Sequence, residues 1–169
     1  DYSQIELRIV ASVAEDAGMM EAFHAGIDIH TATAAKVFGV DIADVTKEQR
    51  YKAKSVNFGL IYGQGAFGLS QNLGIKRGEA AELIEAYFAQ FGGVKKYMDD
   101  SVKFCRENGF VKTIMGRKRF IPDINSSNQT VVGFAERNAI NAPIQGSAAD
   151  MIKLAMINIH ARLGKMKVG

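Results

Sequence analysis

Residues 50–63 run Arg50-Tyr51-Lys52-Ala53-Lys54-Ser55-Val56-Asn57-Phe58-Gly59-Leu60-Ile61-Tyr62-Gly63. Within them Arg50, Lys54, Phe58 and Tyr62 recur at every fourth position. They sit in a segment, 47–62, whose apolar residues follow the period of an α-helix. Each step of four drifts by about 40° around a helix, so the four side chains form one slowly turning stripe about 18 Å long. Two cations at one end and two aromatic rings at the other suit a nucleoside triphosphate. Arg50 and Lys54 would meet phosphate oxygens, and the rings would stack on a base. Like charges four residues apart repel, which favours a bound polyanion beside them. The same spacing also fits a surface helix whose two rings belong to the core. Gly59 and Gly63 each weaken the helix by about 1 kcal/mol, and let a ligand or another backbone come close.

Working outward, the helical period recurs near 4–24, 29–38, 79–91, 94–108, 130–141 and 147–163. Between 109 and 122 it gives way to Phe110, Val111, Thr113, Ile114, then Arg119, Phe120 and Ile121, with Gly109 and Gly116 as breaks. That reads as a β-hairpin or two short strands. The first three residues suit the end of a strand. The fold class is therefore α+β, mainly α-helical, with a short β-hairpin near 110–121. Leu69 to Ile75 followed by Glu79-Ala80-Ala81 has the outline of a helix-turn-helix. Its second helix carries Glu79, Glu82 and Glu85, which repel phosphates, so a packed helical hairpin is expected there.

Composition narrows the class. The chain has 169 residues, 21 Lys+Arg against 18 Asp+Glu (net +3), 47% hydrophobic and 23% charged residues. That suits one domain or two small subdomains with a sizeable core, and argues against disorder. No apolar run approaches the roughly 20 residues of a membrane span. A single cysteine, Cys105, excludes a disulfide framework and any thiolate zinc cluster. With no secretory leader in the sequence, the chain reads as intracellular. A pI near 9.0 fits a polyanionic partner. Residue 1 is Asp, and the chain closes just beyond an apolar periodic segment. The expectation is an internal piece of a larger protein.

Further candidates lie outside the stripe. Ser3-Gln4-Ile5-Glu6 matches a capping box, so a helix should begin at Ser3 with Glu6 reaching back to cap it. That leaves Asp1 at a strand end beside a helix N-terminus, where it would suit a divalent cation or be an exposed terminal carboxylate. Asp1 and Glu6 are five apart and on a strand would face opposite sides, so they are not a metal-binding pair. Arg137, Asn141 and Gln145 are three donors at steps of four, able to read acceptors along a minor groove or simply to be solvated. Pro143 should interrupt a helix between the last two. The basic run Arg117-Lys118-Arg119 suits either a nucleic-acid backbone or the guarding of a strand edge.

Taken together these segments resemble the polymerase region of family A DNA polymerases, the bacterial DNA polymerase I type. The opening Asp1-Tyr2-Ser3-Gln4-Ile5-Glu6-Leu7-Arg8 is similar to the family's motif A. Residues 50–63 are similar to its motif B, the fingers "O helix". Residues 137–150, Arg137 to Asp150, are similar to the stretch before its last catalytic motif. The resemblance covers essentially the whole chain and implies partial palm over 1–28, fingers over 29–130 and partial palm over 131–169.

The resemblance also implies roles. Asp1 would be one of two carboxylates holding a pair of Mg²⁺ ions, with the Tyr2 carbonyl as a further ligand. Arg50, Lys54 and His30 would touch the triphosphate of a dNTP, with Lys54 the proton donor to the leaving group. His30 taken alone reads as a lone helix-surface histidine. Phe58 would pack on the incoming nucleotide and Tyr62 near the templating base, with Gln4 also lining the dNTP site. Glu6 would occupy the space of a ribose 2′-hydroxyl and act as a sugar gate. Arg137, Asn141, Gln145 and Arg117 would contact primer-template DNA. The family's second carboxylate lies in a His-Asp-Glu motif absent from these 169 residues, and Asp150 does not replace it. The chain alone is thus expected to be inactive, to self-associate through an orphan sheet edge, and to come from a bacterial or phage-infected cytoplasm. The competing expectations are a non-catalytic nucleotide- or nucleic-acid-binding module of polymerase-like shape, and a single-subunit RNA polymerase, which Glu6 disfavours.

Overall fold

The computed structural model describes residues 4–165. They form α1 (Ile5–Val13), α2 (Ala17–His24), α3 (Ile29–Phe38), α4 (Lys47–Ile61), α5 (Ala66–Leu73), α6 (Arg77–Gln90), α7 (Gly92–Asn108), β1 (Phe110–Lys112), β2 (Lys118–Phe120) and α8 (Gln129–Lys165). Short 3-10 turns fall at Ile42–Asp44 and Pro122–Asn125. The strands pair antiparallel, Phe110 opposite Phe120 and Lys112 opposite Lys118, which is the expected hairpin.

Two apolar clusters hold these elements. The larger joins Leu7 and Val10 of α1, Met19 of α2, Ile29 of α3, Val56 and Ile61 of α4, and Leu69 of α5. It continues through Tyr87 of α6 and Val94 of α7 to Ile144 and Ala148 of α8. The smaller gathers Cys105, Val111, Ile121, Ile124, Ala135 and Ala139 beneath the hairpin. Helix α4 is set by its own sequence: the Thr46 hydroxyl accepts from the Gln49 N–H (3.2 Å), and the Gln49 side chain accepts from the Thr46 N–H (2.9 Å). Glu79 at the start of α6 pairs with Lys52 of α4 at 3.2 Å, and α5 and α6 pack as a helical hairpin.

Three expectations are corrected. The periodic segment 4–24 is two helices, because Glu15 takes a left-handed conformation (φ 47°) and Asp16 begins α2. The buried Asp16 carboxylate accepts from the N–H of Met19 (3.1 Å) and of Gly93 (3.1 Å), tying the α1–α2 corner to the start of α7. The first helix begins at Ile5, with Gln4 as its N-cap in a left-handed conformation (φ 58°) and no side-chain cap. Ser3, and with it the expected capping box, lies outside the described residues; the Glu6 carboxylate accepts from the Tyr62 hydroxyl. Finally, 130–141 and 147–163 are one 37-residue helix, α8, with Pro143 inside it. Proline removes a single ladder donor. Ile144 and Ala148 still seat the helix on the core, the Tyr97 hydroxyl donates to the Ile140 carbonyl (3.2 Å), and Ser147 donates to the Pro143 carbonyl.

Gly93 has no room for a side chain: a Cβ there would lie 2.8 Å from the Ala14 carbonyl oxygen and 3.0 Å from the Asp16 Cα. Gly78, on α6, has nothing within 4 Å of that position. Gly93→Ala is expected to destabilise the chain by about 1–3 kcal/mol, the cost of overpacking against backbone. Gly78→Ala is expected to be neutral or to stabilise by about 0.4–1 kcal/mol. Thermal unfolding of the two variants checks the opposite signs.

Candidate functional site

Helix α4 buries Ala53, Val56, Asn57, Leu60 and Ile61, and turns Arg50, Lys54 and Tyr62 to solvent with Phe58 half-buried between them. The Phe58 and Tyr62 rings lie nearly parallel, 6.3 Å between centroids at 14°. His30, from the first turn of α3, packs its ring on Phe58 at 5.5 Å. The predicted stripe therefore exists as one row, and His30 joins it from a second helix. The surface-helix reading of His30 is corrected, since only 3% of the residue is exposed.

The cationic end is partly neutralised. Arg50 grips Asp28 with two parallel hydrogen bonds, Nε to Oδ2 (2.9 Å) and Nη2 to Oδ1 (3.0 Å). Asp28 is also the N-cap of α3, accepting from the Thr31 N–H (2.9 Å) and hydroxyl (2.8 Å). Partial burial disfavours its charge, but the bonds from Arg50 and Thr31 prevail and hold the carboxyl well below the usual carboxylate range. An Asp28-Ile29-His30-Thr31 run carries the N-cap signal that could have found this residue. Lys54, one turn on, has no salt bridge among the described residues. Burial pushes the His30 imidazole down; Asp28 opposes this, and the Arg50 and Lys54 charges reinforce it.

The aromatic end is tied to α1. The Tyr62 hydroxyl donates to Glu6 Oε2 at 2.7 Å. Burial first, then this bond, push the phenol up to about 12, so it stays a donor. Gln4 stands two residues before Glu6, at the N-cap of α1.

Helix α8 brings Arg137 to this end, while Gln145 lies by the hairpin. Gly63 follows α4 with φ 74°, and a Cβ there would come within 2.9 Å of Arg137 Cβ, so Arg137 lies against that glycine. Because α8 continues through Pro143, Arg137, Asn141 and Gln145 keep their four-residue spacing on one helix. The Asn141 Oδ1 atom is buried with no partner among the described residues, an acceptor awaiting a donor. Gln145 is exposed beside a cleft of about 220 Å³ that Thr113, Arg117 and Arg119 of the hairpin also line.

Arg117 is committed within the chain. Its Nε donates to Asp150 Oδ1 (2.9 Å) and Nη2 to the Gly146 carbonyl (3.2 Å), while the Thr113 hydroxyl donates to Asp150 Oδ2 (2.8 Å). This locks the hairpin to α8 and gives Asp150 a structural partner. Asp1 and Tyr2 lie outside the described residues. Among the described residues no group of three or more His, Cys, Asp or Glu side chains gathers to hold a metal ion. Nor is any helix among them long and apolar enough to cross a membrane.

The sequence profile of DNA polymerase family A matches residues 1–169. DNA polymerase I of Caldicellulosiruptor bescii and that of Geobacillus stearothermophilus are each 56% identical over 163 residues, 96% of this chain and 19% of theirs. The Bacillus subtilis DNA polymerase I is 53% identical over 163 residues, 96% of this chain and 18% of its own. The chain thus spans about a fifth of the length of these relatives. Among solved structures, the POL domain of Pol1 from M. smegmatis, in complex with DNA primer-template and dNTP, superposes with a TM-score of 0.93 at 48% identity. That match covers 98% of this chain and 29% of the other. On the profile match along its whole length, this chain belongs to DNA polymerase family A.

Proposed function

We propose that this chain is the dNTP-holding segment of a DNA-directed DNA polymerase, acting on primer-template DNA in bacterial replication or repair. The observation that carries the reading is the single row formed by Arg50, Lys54, His30, Phe58 and Tyr62, anchored at its far end to Glu6. The relatives' names and the neighbour's bound primer-template and dNTP support it.

In this reading the row performs four tasks. Arg50 trades Asp28 for phosphate oxygens, which reproduce the paired, charge-assisted hydrogen bonds that it gives up. Lys54 contributes a charge at the phosphates and a proton for the departing pyrophosphate as the primer 3′-hydroxyl bonds to the α-phosphorus. Phe58 supplies a face for the nucleotide, backed by His30 on one side and Tyr62 on the other. Tyr62 holds Glu6 by a hydrogen bond, so a bulky carboxylate stays where a ribose 2′-hydroxyl would enter. Arg137, Asn141 and Gln145 hold the primer-template end by acceptors that every base pair shares in the minor groove. Arg117 supports this face by fixing the hairpin; to touch the DNA backbone it must first exchange Asp150.

Mg²⁺ belongs to the same reading, where it would lower the barrier at the reacting phosphate. Asp1 and the Tyr2 carbonyl are the groups of this chain assigned to it. The described residues form no metal cage of their own, so the roles above are those of the side chains alone. The chain by itself is expected to be inactive, with one of two family carboxylates. The far half of α8, where Leu154, Met156, Ile157, Ile159 and Leu163 are exposed, adds an apolar face through which the isolated chain would self-associate.

With this segment restored to an intact polymerase, Lys54→Ala is expected to lower kcat about a hundredfold, the worth of a general acid. Single-turnover primer extension checks this, and an unchanged rate removes the assignment. Glu6→Ala should raise ribonucleotide incorporation, and Tyr62→Phe should raise it less, because the ring remains while the tether is lost. Competitive incorporation of dNTP and rNTP reads both. Purified alone, the 169-residue chain should fail to extend a primer and should sediment in a concentration-dependent way.

A further inference from the structure

Beneath the row lies a buried polar network that none of the roles above uses. Asn57 is fully buried on the core side of α4. Its Nδ2 lies 3.1 Å from His30 Nδ1 and 3.1 Å from Thr33 Oγ1. The Thr33 hydroxyl, also fully buried, is 2.8 Å from the Ile29 carbonyl and 3.2 Å from Asn57 Oδ1.

The orientation of the Asn57 carboxamide, Nδ2 toward His30, sets the arrangement. The carboxamide nitrogen carries two hydrogens and accepts none. The Thr33 hydroxyl has one hydrogen, directed to the Ile29 carbonyl over the shorter contact, and accepts one hydrogen from Asn57. The other Asn57 hydrogen points at His30 Nδ1, which must be a bare acceptor, so the ring carries its proton on Nε2. Among the described residues Nε2 has no hydrogen-bond partner, nor is it among the fully enclosed unpaired atoms. Only 3% of the residue is exposed, and Nε2 is the ring nitrogen left for a ligand beside Phe58.

We infer that Asn57 is a positioning residue that fixes the tautomer of His30, so that Nε2–H is presented as a neutral donor to a nucleotide phosphate. The inference deepens the proposed function and rests on the reading of His30, implied by the resemblance, as a contact of the dNTP triphosphate. A neutral donor suits this place. Arg50 and Lys54 already supply positive charge beside a ring that is itself buried, and a third cation there would carry a desolvation cost. The ring is also held by Phe58, whose ring lies 5.5 Å away at a tilt of 54°. A histidine free to switch tautomer would instead offer the phosphate a lone pair part of the time.

The test uses the intact polymerase carrying this segment. Nitrogen shifts of labelled imidazole, assigned by comparison with His30→Gln, should show a neutral ring protonated at Nε2 from about pH 8 down to about pH 6. A ring protonated at Nδ1 overturns the inference without any variant at Asn57. Asn57→Asp, which offers His30 an acceptor in place of a donor, should move the proton to Nδ1. It should raise the dNTP KM about tenfold near pH 8, the cost of one hydrogen bond to a charged group. The KM should recover toward pH 6 as the ring takes its second proton, with kcat changing less. In a His30→Ala background the same substitution should add nothing to KM. If His30→Ala raises KM while Asn57→Asp changes neither KM nor its pH dependence, the positioning role fails and the phosphate reading survives. If His30→Ala leaves KM unchanged, the phosphate reading fails and takes the inference with it.

Discussion

The seating of α4 on α3 governs the rest of the molecule. Ala53, Val56, Leu60 and Ile61 bury one side of α4 in the main cluster, and Asn57 on that side bonds to His30 and Thr33. An apolar face alone tolerates sliding and rotation; a buried carboxamide that loses its partners costs about 1–3 kcal/mol, which penalises any other register. With the buried side fixed, helical geometry leaves Arg50, Lys54, Phe58 and Tyr62 no choice but the opposite edge. The site is thus a consequence of packing before it is a matter of chemistry.

Electrostatics then grades that edge. At its start Asp28 cancels much of the Arg50 charge and at its end Glu6 holds a phenol, while Lys54 between them has no salt bridge among the described residues. Both acidic residues sit at helix beginnings, Asp28 capping α3 and Glu6 in the first turn of α1, where the helix dipole favours an anion. The carboxylates are therefore stabilised independently of the groups they hold.

Much of this was legible in the chain. The four-residue spacing of the stripe survives because it belongs to one helix, and the hairpin survives because Gly109 and Gly116 bracket residues of strand type. What was not legible depends on partners remote in sequence. The break at Glu15 and Asp16 is held by the Gly93 N–H, 77 residues away from Asp16. Pro143 argues locally for an interruption, yet Ile144 and Ala148 are buried in the core and carry α8 through it. Asn57 reads as an unremarkable helix residue until His30, 27 positions earlier, is found against it. Likewise nothing in the run Arg117-Lys118-Arg119 reveals that the first of them is engaged by Asp150.

The close approach of Arg137 to Gly63 has a mechanical meaning. The end of α4 has no side chain there to act as a cushion, so the arginine stem bears directly on the backbone where that helix stops. Position 63 therefore sets how closely the end of α4 can seat on α8, and a methyl group added there would wedge the two apart.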